Sequence, residues 1–396
     1  MLLVPLLEPF GPHVAARAAS RYDAPVNRRR LLALLALAPL GGLVSSAVRG
    51  QGATPFAAGN VPTAERPGAV YLGQKACEGC HADHAARYRD AAMGHAAERT
   101  AECAVLASHP LMTFESGRYR WRIERSGQQT LYSVTDGEAT LSAPVAWCIG
   151  QGKAGQTWVF ERDGVFHESR ISYFTKIDGL AFTMGAPPGT PSSLGEAMGR
   201  PMDKSDTRAC FGCHTTFSAK GSALQVPNAL PGVTCEGCHG PGGDHIAALG
   251  RGVAHDRGIL NPGHLPTEEQ LSFCGKCHRS WEDVMLQGIR GIANVRFQPY
   301  RLANSKCYDT EDPRISCVAC HDPHSLRKTA ARDYDAACLA CHGNTKTAER
   351  RPAPACPKGR SECSSCHMPR YEVPGSHFES TDHMIRIVRP GAPYPN

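Results

Sequence analysis

The pattern Cys-x-x-Cys-His occurs seven times in this chain: Cys77-Cys80-His81, Cys210-Cys213-His214, Cys235-Cys238-His239, Cys274-Cys277-His278, Cys317-Cys320-His321, Cys338-Cys341-His342 and Cys363-Cys366-His367. These motifs use 14 of the 18 cysteines in 396 residues. A C-x-x-C pair is also a common zinc hook or, in an exported chain, part of a disulfide framework. Neither use requires a histidine directly after the second cysteine. With 18 histidines in the chain, seven chance placements have a probability below roughly one in a billion, and C-x-x-C-H is the attachment motif of c-type haem. On one helical turn, positions i, i+3 and i+4 share a face, so both sulfurs and the imidazole point the same way. The thiols can then add to the two haem vinyl groups, with the histidine as proximal ligand to the iron.

Seven c-type haems and their irons are therefore the expected cofactors, with large flat macrocycles forming much of the core. With 40 Gly and 30 Pro, the expected fold is mainly α with much irregular loop, organised around covalently bound haems. Thr267-Glu268-Glu269-Gln270 has the form of a capping box and opens an apolar run through Leu271, Phe273 and Trp281, which predicts a helix carrying Cys274 to His278. Residues 112–185 read differently, as a β-rich insertion. There Tyr119, Trp121 and Ile123 alternate with arginines, "LYSV" continues in strand fashion, and Asp163-Gly164 is a hairpin signal. Covering the first haem is the expected role of this insertion, and docking a redox partner is the alternative.

Arg28-Arg29-Arg30 precedes "LLALLALAPLGGLVSSA", a basic and then an apolar region ending in small residues placed for cleavage after Ala47. This predicts an export signal, with an uncleaved membrane anchor as the alternative; Pro39, Gly41 and Gly42 leave the apolar run short for a spanning helix. Arg28 to Leu32 also fits a loose twin-arginine pattern. The residues before the arginines are unusual for a signal, and Val26 is an alternative start. The expected organisation is 1–47 signal peptide, 48–70 linker, 71–111 first haem segment, 112–200 β-rich insertion and 201–396 six-haem domain. Five arginines and two acidic residues leave with the signal, so the formal net charge of +6 falls to +3. Haem propionates lower it further, which argues against nucleic acid as a partner. Redox proteins are the expected partners, among them a membrane quinol-oxidising complex, and the expected location is periplasmic or extracellular.

Ten histidines lie outside the motifs and the signal: His84, His95, His109, His167, His245, His255, His264, His324, His377 and His383. Two axial ligands of one iron occupy opposite porphyrin faces, so His239 and His245, or His321 and His324, are too close in sequence to clasp the same macrocycle. The second histidine of each stretch is expected to reach a neighbouring haem. The segments "YLGQKACEGCHADHAARYRDAAMGHA", "VTCEGCHGPGGDH", "ISCVACHDPH" and "CSSCHMPRYEVPGSHFESTDHMIRI" resemble the multihaem c-type cytochromes, the group that includes tetrahaem cytochromes, pentahaem nitrite reductase and hydroxylamine oxidoreductase. That resemblance implies distal-ligand roles for His95, His245, His324, His377 and His383. His109 ranks next, then His84, and Met93 and Met368 are further candidates. No C-x-x-C-K motif is present, unlike the nitrite reductases, so a lysine-ligated catalytic haem is not expected.

The remaining cysteines, Cys103, Cys148, Cys307 and Cys356, are even in number, and in an exported chain the expected disulfides are Cys103–Cys148 and Cys307–Cys356. A thiolate iron ligand is the alternative. The functional expectation is an electron carrier relaying single electrons through packed haems, and no catalytic dyad or nucleophile constellation is found. Two alternatives stand beside it: an oxidoreductase with one open haem acting on a small nitrogen or sulfur compound, and a unit of a longer electron conduit.

Overall fold

The computed structural model describes residues 69–187, 189–220, 223–253, 258–312, 314–343, 356–389 and 391–395. The signal segment, most of the linker and His255 lie outside the described residues. Among the described residues, no helix is long and apolar enough to cross a membrane.

The expectation of a mainly α chain is overturned by one large antiparallel sheet. Its strands are β1 (Ala97–Arg99), β2 (Leu111–Ser116), β3 (Tyr119–Ser126), β4 (Gln129–Thr135), β5 (Thr140–Ile149), β6 (Gly155–Arg162), β7 (Val165–Phe174), β8 (Gly179–Phe182) and β9 (Gly199–Pro201). They run in sequence order from β2 to β8, with β1 beside β5 and β9 beside β7. The path nearly closes on itself. Phe114 of β2 and Phe182 of β8 meet edge to face, with ring centroids 5.5 Å apart. The sheet is longer than the segment read as β-rich because β1 and β9, too short to carry a periodic signal, add to it from either side.

Alternation decides the faces of this sheet. On β3, Tyr119, Trp121 and Ile123 are fully buried while the arginines between them face water. They join Tyr132, Trp158, Phe160 and Ile171 in the main apolar core. The β6–β7 hairpin turns at Asp163 (φ 53°) and Gly164 (φ 75°). Two successive residues with positive φ match the right-handed strand twist, which explains the Asp-Gly pair.

One irregularity links the sheet to the helix of the second motif. The β5–β6 register shifts between Val145 and Trp147, and a one-residue shift moves the following side chains to the opposite face. Val145 and Cys148 therefore stay in the main core, whereas Trp147 joins a second apolar cluster with Val159, Met202 and Phe211. Phe211 lies between Cys210 and Cys213 on the helix Lys204–His214. Its ring meets Trp147 at 5.2 Å and Phe166 at 5.6 Å.

The rest of the described chain consists of short helices and turns, with an apolar cluster around Val284, Phe297 and Tyr300. Thr267–His278 is helical, but without the capping box read from its first residues. The Thr267 hydroxyl instead donates to the Asp312 carbonyl, and Gln270 bonds to the Pro262 carbonyl and the Val318 amide. These contacts fasten the helix to the loops around it. A capping box forms one helix later, between Ser280 and Asp283.

Cys103 and Cys148 are both fully buried in the main core, and their thiols are in hydrogen-bond contact. Burial, then the Cys103 thiol, pushes the Cys148 thiol well above its ordinary range. The unreduced protein is expected to gain the mass of two hydrogens in the peptides carrying Cys103 and Cys148 on reduction; two free thiols before reduction would exclude the bond. Phe211→Ala is expected to cost about 3–5 kcal/mol by loss of a buried ring, measured as a lowered urea midpoint, and an unchanged midpoint would remove its anchoring role.

Candidate haem-binding centres

Each motif lies on a helical turn, as a shared face for two thiols and an imidazole requires. The second, third, fourth, sixth and seventh motifs end the helices Lys204–His214, Cys235–His239, Thr267–His278, Asp335–His342 and Cys363–His367. In the first and fifth, the histidine amide donates back to the first cysteine carbonyl, His81 to Cys77 and His321 to Cys317, both at 2.9 Å.

Motifs distant in sequence converge. Thiols meet across motifs at Cys77 and Cys235, Cys213 and Cys277, Cys274 and Cys317, and Cys338 and Cys363. Cys238 neighbours Cys274 and Cys277, and Cys320 neighbours Cys338. In spatial order the motifs therefore run first, third, fourth, fifth, sixth, seventh, with the second joining at the fourth. The Cys277 thiol is raised by its Cys213 contact and by burial, and the Cys274 thiol by Cys317 and by burial. The same contacts lower the Cys213 and Cys317 thiols, so each pair divides into one raised and one lowered thiol. Among the described residues, no three His, Cys, Asp or Glu side chains converge as a metal site would need.

Two motif histidines each face a histidine from a distant segment. The His239 and His324 ring centroids are 5.9 Å apart with planes at 11°, and those of His321 and His383 are 6.2 Å apart at 34°. Two imidazole nitrogens, each about 2 Å from one metal on opposite sides, place their ring centroids about 6 Å apart. Both pairs fit that spacing, and each joins a motif histidine to a histidine outside the motifs. His321 and His324, three residues apart, thus face different partners.

Hydrogen bonding sets the tautomers. The Nδ1–H groups of His214, His239, His367 and His383 donate to the carbonyls of Ala96 (2.8 Å), Leu260 (2.7 Å), Arg386 (2.9 Å) and Thr381 (3.0 Å). A carbonyl can only accept, so Nδ1 carries the proton and Nε2 keeps its lone pair, the arrangement that orients a ligand. Burial pushes His214, His321 and His324 down and His383 to about 4. All are therefore neutral at pH 7, the form a metal accepts. These residues fit haem attachment and axial ligation.

The other sequence-derived candidates have different surroundings. His95 places Nε2 at 2.7 Å from the Arg89 carbonyl and Nδ1 at 3.3 Å from Glu98. His109 lies against the sheet, with Nε2 at 3.1 Å from Asp178 and its ring 4.9 Å from Tyr173. His377 has a left-handed backbone (φ 52°) and lies 4.9 Å from Phe174. His245 is half-buried on the helix Gly243–Gly250. His84 is 4.7 Å from His324, with Nδ1 at 2.9 Å from an Arg87 nitrogen. His167 stacks on Phe160 at 5.3 Å, and His264 is 3.4 Å from the Asn261 amide nitrogen. His81, His278 and His342 are exposed.

Two positioning groups had no signal in the sequence. Glu236, inside the third motif, is 1% exposed and accepts from the amides of Leu72 (2.9 Å), Gly73 (2.8 Å) and Gly242 (2.8 Å). It thereby ties the segment before Cys77 to the turn after His239. Glu78 occupies the same place in the first motif and only a side-chain contact to Gln74 is seen there, so the residue pattern alone could not single out Glu236. The second group is the buried pair of Arg301 and Asp382, bonded bidentately at 2.8 and 3.0 Å. Arg386 adds a third bond to Asp382 at 2.6 Å. His383 follows directly, and its carbonyl accepts from Ser305 at 2.8 Å.

The family described as cytochrome c554 and c-prime matches residues 192–240, which contain the second and third motifs and the helix bearing Phe211. No curated protein matches the chain, and no solved structure does. The family likeness supports a c-type cytochrome with covalently bound haem and an electron-transfer role.

Burial alone would raise the Asp382 carboxyl, but bonds from Arg301, the Met384 amide and Arg386 hold it below the ordinary carboxylate range. Its contribution to stability is therefore complete above the unfolded value of about 3.9 and is lost as pH falls through the lower folded value. Asp382→Asn is expected to cost about 3–5 kcal/mol at pH 7 by leaving Arg301 as an uncompensated buried charge. Urea titrations at several pH values would measure this, and a variant as stable as the parent at pH 7 would contradict it.

Proposed function

We propose that the chain is an exported seven-haem c-type cytochrome that passes single electrons between redox partners. When bound, a c-type haem supplies one-electron iron chemistry at a potential tuned by its ligands, charge and burial. The observation that carries the reading is the convergence of motifs far apart in sequence, each of the seven meeting another through a thiol contact. A chain that only stored haem has no need to bring Cys77 to Cys235, Cys213 to Cys277 and Cys274 to Cys317.

The protein's own work in this reading is attachment, clasping and exclusion of competing chemistry. The fourteen motif cysteines anchor, and the seven motif histidines are proximal ligands. His324 is the distal partner of His239, and His383 that of His321. Supporting residues aim these imidazoles, Leu260 and Thr381 through their carbonyls and Arg301–Asp382 through the backbone next to His383. His95, His245, His377 and His109 remain the further candidates for distal positions.

Haem content and low-temperature EPR of the oxidised protein test this. Seven haems per chain, with low-spin ferric signals throughout and no carbon monoxide effect on the reduced spectrum, are expected. A high-spin signal worth about one haem would instead favour the reductase or oxidase reading, with nitrite, hydroxylamine and sulfur oxyanions as substrates to try. His324→Ala is expected to convert one haem to high spin.

A further inference from the structure

A cavity of about 270 Å³ lies beside the fourth motif, lined by Cys277, His278, Arg279, Gln287, Arg296 and Phe297 among others. Two arginines line it. Arg279 directly follows the helix that ends at His278 and has a left-handed backbone, φ 67°. That conformation is unfavourable for a residue with a Cβ, so the surrounding structure holds it there. Arg296 comes from a separate segment, the short 3-10 turn Gly291–Arg296. Its guanidinium lies 5.1 Å from the Phe297 ring centroid, one terminal nitrogen is 3.2 Å from the Met184 sulfur, and its Nε is buried with no hydrogen-bond partner.

This arrangement is electrostatically unfinished. Burial and then the Arg279 charge both weigh against the protonated form of Arg296. Among the described residues no carboxylate lines the cavity. Two like charges brought together in a partly dry site need an anion, and a guanidinium fork matches a carboxylate in shape and charge. The cavity wall includes Cys277 and His278, an attachment thiol and an imidazole, so the group seated there carries its own carboxylates. We propose that Arg279 and Arg296 bind the propionate carboxylates of the haem attached at Cys274 and Cys277, and so raise the reduction potential of its iron. This rests on the relay reading above. The fourth motif touches the second and fifth and neighbours the third, so the pair acts where the spatial order branches. Neutralising nearby negative charge favours the iron state with one more electron; no bond is made or broken.

The test is a spectroelectrochemical titration of the haem-loaded full chain, comparing the parent with Arg279→Gln, Arg296→Gln and Arg296→Lys. One haem's share of the absorbance change is expected to move to lower potential in each glutamine variant, and the lysine variant is expected to recover part of the shift. Unmoved titrations at the parent's haem content would overturn the assignment and leave the relay reading standing. A parent protein without haem at Cys274 and Cys277 would overturn both. If the variants do not load, the structure of the haem-loaded parent decides: carboxylate oxygens within hydrogen-bond distance of Arg279 or Arg296 support the assignment. Propionates bound elsewhere, with the cavity empty or holding only a small inorganic anion, would overturn it.

Discussion

A helix of four or five residues cannot hold itself in water, because nucleating the first turn costs more than its few hydrogen bonds return. Three of the motif turns, Cys235–His239, Cys317–Cys320 and Cys363–His367, are of this size. Their positions must come from contacts outside the turn. The anchors differ in kind: an aromatic wedge for the second motif, a buried carboxylate for the third, and side-chain bonds from neighbouring loops for the fourth. Phe211 depends on Trp147 facing outward, and Trp147 faces outward because the β5–β6 register shifts beside it. A local defect in the sheet thus sets where a haem-binding turn docks.

Electrostatics divides the motif region in the same way. At Asp382 a buried anion is fully answered by Arg301 and Arg386, and the result is a rigid platform for the residue that follows, His383. At Arg279 and Arg296 two cations face a cavity without an answering carboxylate. A buried pair is costly to break and therefore suits a structural role. A buried excess of one sign marks a place where a ligand brings the other.

The histidines show how far residue pattern reaches. That His321 and His324 cannot serve one iron followed from their separation of three residues, and in the structure they face His383 and His239 respectively. Which distant segment supplied each partner could not be read, since no spacing relates position 239 to 324 or 321 to 383. The β-rich stretch was visible because alternation and an Asp-Gly turn are local signals, yet the balance of the whole fold was misjudged. The motif helices are short, while a sheet packed around a few aromatic side chains has nine strands. The capping box at Thr267 failed for a related reason: tertiary partners at Asp312, Pro262 and Val318 took the side chains that would have capped.

By itself the sequence determined the chemistry of the chain: seven thiol pairs each with an imidazole one position on, and further histidines outside these motifs. These are properties of covalent connectivity over five residues, so they survive any arrangement of the rest. Only the tertiary structure decided the order in which motifs meet, the pairing of histidines across segments, and the choice of Glu236 over Glu78 as an anchor. Those depend on contacts between residues far apart in the chain, where burial and the surrounding dielectric separate groups that are identical in composition.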